Sequence, residues 1–279
     1  MLWLRHLKIW VGGVILLALF ICGIGAPFLA PRDPQSQTLE DRLRPPRWAE
    51  NGLPAYVLGT DNLGRDMLSR IIYGSRISLM VGAATVILAG LLGCVLGAIA
   101  GYFGHAADEI VSKISEIFLA FPFLLIAIAI MAFLGQGVGN LIAALMLSRW
   151  VQFSRVVRGE VFSIKERDFV TAAKALGGND WYVLFRHVVP NTFASVTVIA
   201  TFAMAIVIIS EASLSFLGLG VPVHIPTWGS MLSEGRSYIN RAPWLTIWPG
   251  LAIFITVFGI NLLGDGLRDV FDPRLRRQR

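Results

Sequence analysis

Long stretches without a single charged side chain constrain this chain more than anything else in it. Residues 9–31, 77–104 and 117–148 run for 23, 28 and 32 positions without Asp, Glu, Lys or Arg, and residues 188–210 and 242–264 are of the same kind. A hydrocarbon core about 30 Å thick is crossed by about 20 apolar residues of helix. Only helices and closed barrels satisfy every backbone polar group in lipid, so runs of this length read as transmembrane helices. Composition agrees: 55% of the 279 residues are hydrophobic and 15% charged, against about 25% charged in soluble domains. A disordered chain is excluded. The net charge of +6 would suit nucleic acid, but the basic residues sit in loops between apolar runs, where control of topology accounts for them. No nucleic-acid partner is expected. Cys22 and Cys94 fall inside apolar runs and read as unpaired packing residues.

The first run is preceded by Arg5 and Lys8 and followed by small residues at 23–26, a pattern shared with cleaved signal peptides. It is longer than a usual signal core, so a retained span is the preferred reading. Residues 117–148 then fix the topology. They are too long for one comfortable span and tight for two, and Gly135, Gln136, Gly137, Gly139 and Asn140 offer a turn in the middle. With a hairpin there, six spans result, with fifteen basic residues on the inner side and nine outside. With a single span the count becomes five inside and nineteen outside, against the positive-inside tendency. The hairpin is therefore expected.

The expected architecture is an all-α polytopic membrane protein of about six helices. Residues 1–76 hold a first span at about 9–31, an outer loop, and an interfacial helix over 61–76. Residues 77–279 hold a five-span core, at about 77–104, 117–134, 138–157, 190–217 and 242–264, with a cytoplasmic loop at 158–190 and a basic tail inside. Gly93, Gly97 and Gly101, four residues apart, predict a close helix–helix seam.

Within the cytoplasmic loop, residues 168–191 form a polar island with helical patterning. Phe169, Ala172, Ala173 and Leu176 fall at i, i+3, i+4 and i+7. Gly177 and Gly178 stop that helix, and Asn179 or Asp180 caps the next. Trp181, Leu184, Phe185 and Val188 repeat the spacing until Pro190 ends it. Two amphipathic helices about a Gly–Gly corner make an elbow whose apolar faces either pack on the spans or dock in a groove of another protein.

Motifs for chemistry are absent from the sequence. No phosphate-binding Gly-rich loop with its Lys-Ser/Thr end is present, the four histidines lack metal-ligand spacing, and no serine sits in a nucleophile-elbow pattern. An enzyme is not expected, and energy for any work on a substrate has to come from a partner or an ion gradient. Glu211 is the candidate for a translocation path or gate, because an ionisable residue in or beside a span is costly. It stands near the expected outer end of its span, where pairing with Arg236 or Arg241, or simple hydration, are the competing readings.

The island resembles the cytoplasmic loop of the permeases of ATP-binding-cassette importers. That loop reads Glu-Ala-Ala, three residues, Gly, nine residues, then aliphatic, any, aliphatic, Pro. Ala172, Ala173, Gly177, Val189 and Pro190 match it, while Thr171 replaces the usual acid and His187 an aliphatic. Three further stretches, LGTDNLGRDMLSRIIYGSRIS at 58–78, ASLSFLGLG at 212–220 and GDGLRDVFDPR at 264–274, are similar to the second permease subunit of the peptide and nickel branch. The resemblance implies half of a pore in the bacterial inner membrane with both termini cytoplasmic. It implies a related permease as the other half, two cytoplasmic ATPases that carry ATP and magnesium, and an external solute-binding protein. No cofactor is expected in this chain. Asp168, Phe169, Thr171, Ala172, Ala173, Leu176, Gly177, Trp181 and Pro190 are then the coupling residues, with Asp168 or Glu166 standing in for the missing acid. Alternating access moves the elbow and the spans together. Di- and oligopeptides are the first substrate class, with nickel chelates, glutathione, opines and sugars also compatible. The alternative is an ion-coupled secondary transporter or channel without ATPases, which predicts an ionisable relay at mid-membrane.

Overall fold

The structure, a computed structural model, describes residues 2–222 and 224–271, so most of the basic tail lies outside the described residues. Eleven helices are described and no strand is present among these residues. In chain order they are α1 (Leu2–Ile24), α2 (Ala26–Leu29), α3 (Met67–Phe103), α4 (His105–Ala120), α5 (Phe123–Leu134), α6 (Val138–Ile164), α7 (Asp168–Ala175), α8 (Asp180–Val183), α9 (Phe193–Phe216), α10 (Trp228–Arg236) and α11 (Trp244–Phe271). Four helical stretches are long and apolar enough to cross a membrane, and the bent pair α4–α5 makes a fifth. The 27-residue α6 falls outside that set because Arg149, Arg155 and Arg158 interrupt its apolar sequence. This is an all-α polytopic membrane protein.

Small residues set the packing. Gly93 meets Trp150, Gly97 meets Ser154 and Gly101 meets Arg158, so a Cβ at any of the three would collide with the α6 backbone. Lipid gives helices no hydrophobic reason to associate, and close backbone approach supplies the dispersion contact instead. Both members of these pairs rise together in number, so α3 and α6 run parallel. The chain between them must return along the bundle, and α4–α5 does so: Arg158 on α6 meets Asp108 on α4, and Trp150 meets Phe118. A second seam joins α1 to α11, where Gly12 faces Gly259 and Gly266 faces Ile9, so these two are antiparallel. Lys8 and Asp269 pair at 3.2 Å at the end of this seam.

Several expected boundaries are corrected. The interfacial helix over 61–76 is not separate from the second span. Residues 61–66 form a turn, Asp66 caps the helix by accepting from Ser69 N at 2.8 Å, and α3 then runs 37 residues unbroken. The short polar segment after residue 104, between two expected spans, folds as the amphipathic α4 and buries Val111 and Ser115. The third span expected at 117–134 is broken, with α4 and α5 bent by 88°. Pro122 causes this, since it disfavours helical backbone at the residue before it, and Phe121 is extended at φ −109°, ψ 140°. The α6 helix continues past residue 157 to Ile164, so the loop expected at 158–190 is shorter than its sequence suggests. The first span starts at Leu2 and ends at Ile24 rather than covering 9–31, and the last reaches Phe271 rather than stopping near 264.

Candidate functional site

Residues 168–191 fold as an elbow at the end of the bundle where α3 and α6 finish. Arg167 is extended and α7 follows it for two turns. Gly177 takes φ +87°, a backbone open to glycine and strained for other residues, while Gly177 N and Gly178 N donate to Lys174 O and Ala173 O at 2.9 and 3.1 Å. Of the two possible caps it is Asn179 that acts, its Oδ1 accepting from Tyr182 N at 2.8 Å. Pro190 does not end the second helix as its position suggests. The chain loosens to a π turn at Leu184–Val188, tightens to a 3₁₀ turn at Val189–Thr192 and flows into α9. Pro190 sits in the opening turn of that 3₁₀ segment, where its missing N–H leaves no bond unmade. The outer arm of the elbow is thus the root of a membrane-spanning helix.

One face of the elbow anchors it. Val170, Val183, Leu184 and Val188 are fully buried against Val157, Val161 and Ile164 of α6 and Ala98 of α3. Tyr102 Oη donates to Asp180 Oδ1 at 2.9 Å, and the Lys174 ammonium lies 4.7 Å from the Tyr102 ring and 3.4 Å from Asp180. The hydrogen bond with Tyr102, reinforced by Asp180, holds the Lys174 ammonium above the usual lysine range. Lys165 Nζ donates to Gly101 O at 2.9 Å and caps the end of α3, where cations offset the negative end of the helix dipole.

The opposite face has no partner among the described residues. Leu176 is 90% exposed, Trp181 54% and Phe169 40%. Trp181 stacks on Phe185 at 6.0 Å and leans on Phe103 at 5.0 Å, so the ridge is stiff. Ala172 and Thr171 are exposed beside it, as are Asp168 and Glu166, while Ala173 is half-buried. Phe169, Thr171, Ala172, Leu176 and Trp181 are therefore all accessible on the elbow. The residue that sequence reading passed over is Val170. Its full burial pins α7, and a lone valine among small residues gave no sign of that role.

Glu211 is not at a hydrated outer end and does not pair with Arg236 or Arg241. The α9 helix runs on to Phe216, and α3 and α10 close over the carboxylate, leaving it wholly buried. It accepts hydrogen bonds from Ser78 Oγ at 3.0 Å and Ser215 Oγ at 2.8 Å, which meets the rule that a buried polar group be bonded. Arg236 lies over the Phe216 ring instead.

At the opposite end of the bundle, where α3 begins, a charged knot joins the 61–66 turn, α3 and α10. Arg65 Nε donates to Asp61 at 2.6 Å and its Nη2 to Glu234 at 2.7 Å. Arg70 donates to Asp61 and, at 2.7 and 3.0 Å, to both oxygens of Glu234. All four side chains are at most 17% exposed.

Among the described residues no group of three or more His, Cys, Asp or Glu could hold a metal. A bundle of long apolar helices of this kind defines an integral membrane protein. Residues 93–277 match the family described as binding-protein-dependent transport system inner membrane component. Residues 4–46 match the N-terminal TM domain of oligopeptide transport permease C. The chain belongs to this family of permease subunits of ATP-binding-cassette importers. It is 41% identical to a di/tripeptide transport system permease protein of Pseudomonas aeruginosa, over 97% of this chain and 90% of the relative. It is 41% identical to a glutathione transport system permease protein of Pectobacterium atrosepticum, over 98% and 90%. An oligopeptide transport system permease protein of Bacillus subtilis is 38% identical, over 96% and 86%.

Proposed function

We propose that this chain is one half of the translocation pore of an importer for di- or oligopeptides, and that the elbow docks in a groove on a cytoplasmic ATPase. The observation that carries the coupling role is the two-faced elbow: Val170, Val183, Leu184 and Val188 buried in the bundle, Leu176, Trp181 and Phe169 open to a partner. A lever needs both. An amphipathic helix laid into a groove is a recurrent docking mode, and Trp in a ridge of this kind is a typical binding hot spot. Because the second arm continues into α9, a push on the ridge is transmitted straight into a spanning helix.

The remaining parts belong to other chains in this reading. A related permease completes the pore, two ATPases bind ATP and magnesium, and a solute-binding protein delivers cargo from outside. The membrane is the bacterial inner membrane. Six crossings with both termini in the cytoplasm follow if α4–α5 and α6 each cross once, and the parallel run of α3 and α6 supports this. The names of the relatives support peptides as cargo, with glutathione the nearest competitor. Alternating access then couples closure of the ATPase pair to opening of the pore.

The test is cross-linking in the assembled transporter. Cys22 and Cys94 are first replaced by serine or alanine, and Ala173→Cys or Gly177→Cys is paired with cysteines along the rim of the candidate groove. A specific cross-link whose yield changes on adding ATP is the expected result. If neither position links to an ATPase in a complex that is intact by size, coupling through the elbow is wrong and an ion-driven mechanism takes its place.

A further inference from the structure

A second ionisable residue stands inside the bundle, and nothing so far accounts for it. Arg149 lies on α6, eleven residues in from Val138, which at about 1.5 Å per residue is roughly 16 Å along the helix. In a hydrocarbon core about 30 Å thick that is near the midplane, beyond easy reach of lipid headgroups. Its guanidinium lies 4.0 Å from the centre of the Phe123 ring on α5, and Nη2 donates to Ser210 Oγ on α9 at 3.2 Å. Its Nε–H is buried and finds no acceptor, and no carboxylate pairs with it among the described residues. The residue as a whole is only half-buried.

This is the reverse of Glu211, which is sealed and fully bonded by two serine hydroxyls. An arginine at the centre of a spanning helix costs about 2.5–3.5 kcal/mol or more if it faces lipid. Stacking on Phe123 fixes the plane of the fork, and that plane retains donors with nothing to donate to. The surroundings give the fork an approach. Arg149, Gln152 and Val156 recur at i, i+3 and i+7 and so share one face of α6. From Gln152 inward that face borders a cleft of about 550 Å³ against Ser195, Val198 and Phe202 of α9, ending at Arg268 near the inner end of α11. On the outward side, Ile206 and Ile209 of α9 are exposed beside Ser210. The arginine does not line that cleft itself but stands one helical turn beyond Gln152, on the face of α6 that does.

We propose that Arg149 is the carboxylate-binding residue of the translocation path, meeting the terminal carboxylate of a peptide at mid-membrane. This rests on the peptide reading above. The terminal carboxylate is the one anionic group common to all unmodified peptides, so a single fixed guanidinium recognises the class without reading side chains. An isolated carboxylate is costly to bring into a low-dielectric site, and a planar guanidinium answers it with paired, charge-assisted hydrogen bonds. Ser210 holds the fork while the path is empty.

The experiment uses the complete transporter in liposomes, with trialanine and trialanine amide as cargo, and wild type against Arg149→Gln and Arg149→Lys. Delivery by the binding protein is common to wild type and variants, so it cancels when each cargo's uptake is divided by the wild-type value. The ratio of tripeptide to amide uptake is expected to fall at least about tenfold in Arg149→Gln, the scale of one lost charged hydrogen bond. Arg149→Lys should fall between, because it keeps the charge and loses the fork. Equal loss for both cargoes, or no loss for either, overturns the proposal. So does a defect in subunit assembly that is relieved by neutralising an acid on the partner permease, which would make Arg149 an interface residue. Wild type that carries neither cargo overturns the peptide reading itself, and this proposal with it.

Discussion

The two ends of the bundle solve opposite problems with charged and apolar residues. At the end where α3 begins, Asp61, Arg65, Arg70 and Glu234 are buried and spend their hydrogen bonds on one another. At the end where α3 finishes, Leu176, Trp181 and Phe169 are exposed although they are the residues a soluble protein would hide. The knot is closed within one chain, so its work is to hold the 61–66 turn, α3 and α10 in one arrangement. The ridge stays open among the described residues, and in the coupling reading proposed above a second chain covers it. Charge in the wrong place and hydrophobicity in the wrong place are both costly, and only the second is relieved by a partner.

That contrast is broken most sharply at Arg70. Arg70→Ala leaves Arg65 as the one cation answering the Asp61 and Glu234 carboxylates in a buried site, and removing one partner of such a network costs about 3–5 kcal/mol. Thermal unfolding in detergent should register this as a large loss of stability, while the isolated elbow surface is untouched. Trp181→Ala should do the reverse. Truncating a hot-spot tryptophan costs about 2 kcal/mol or more of binding, roughly a thirtyfold weaker ATPase association. Its effect on the permease's own unfolding should stay small, since half the side chain already meets solvent. If Trp181→Ala instead melts the permease and spares association, the ridge is internal packing and the comparison collapses. A middle case is Gly101→Leu. A Cβ there comes within 2.8 Å of Arg158 O, and overpacking of this kind costs about 1–3 kcal/mol, read as a lower unfolding temperature with the ridge still accessible to cross-linker. The smallest effect is expected at Lys174→Ala. Its pair with Asp180 is about half exposed, and exposed pairs contribute about 0–1 kcal/mol.

Much of this was legible in the residues. The Gly–Gly corner and the glycines at 93, 97 and 101 each carry a local physical signature and appear where it put them, while the charge-free runs mark apolar helices whose ends they misplace. The boundaries were less so. The helix of residues 67–76 fuses with the next span because helical propensity does not stop where charges do. Residues 105–116 are helical because one amphipathic face finds α6, a partner 40 residues away that no local pattern names. Glu211 was flagged by its cost and misplaced by its position. Its neighbours Ser78 and Ser215 are ordinary serines until α3 and α9 come together.

The sequence by itself determined that the chain crosses a membrane several times, where it turns, and that a two-faced elbow follows the fourth expected span. Those follow from periodicity and from the cost of charge in lipid, both local along the chain. The tertiary structure alone decided which face of the elbow is anchored, that its second arm is continuous with α9, and that Asp61, Arg65, Arg70 and Glu234 make one closed network. It alone separated Glu211, sealed by hydroxyls, from Arg149, left with donors unspent. Whether a charge is satisfied depends on the groups that meet it in space, and in this chain those groups come from helices far apart in sequence.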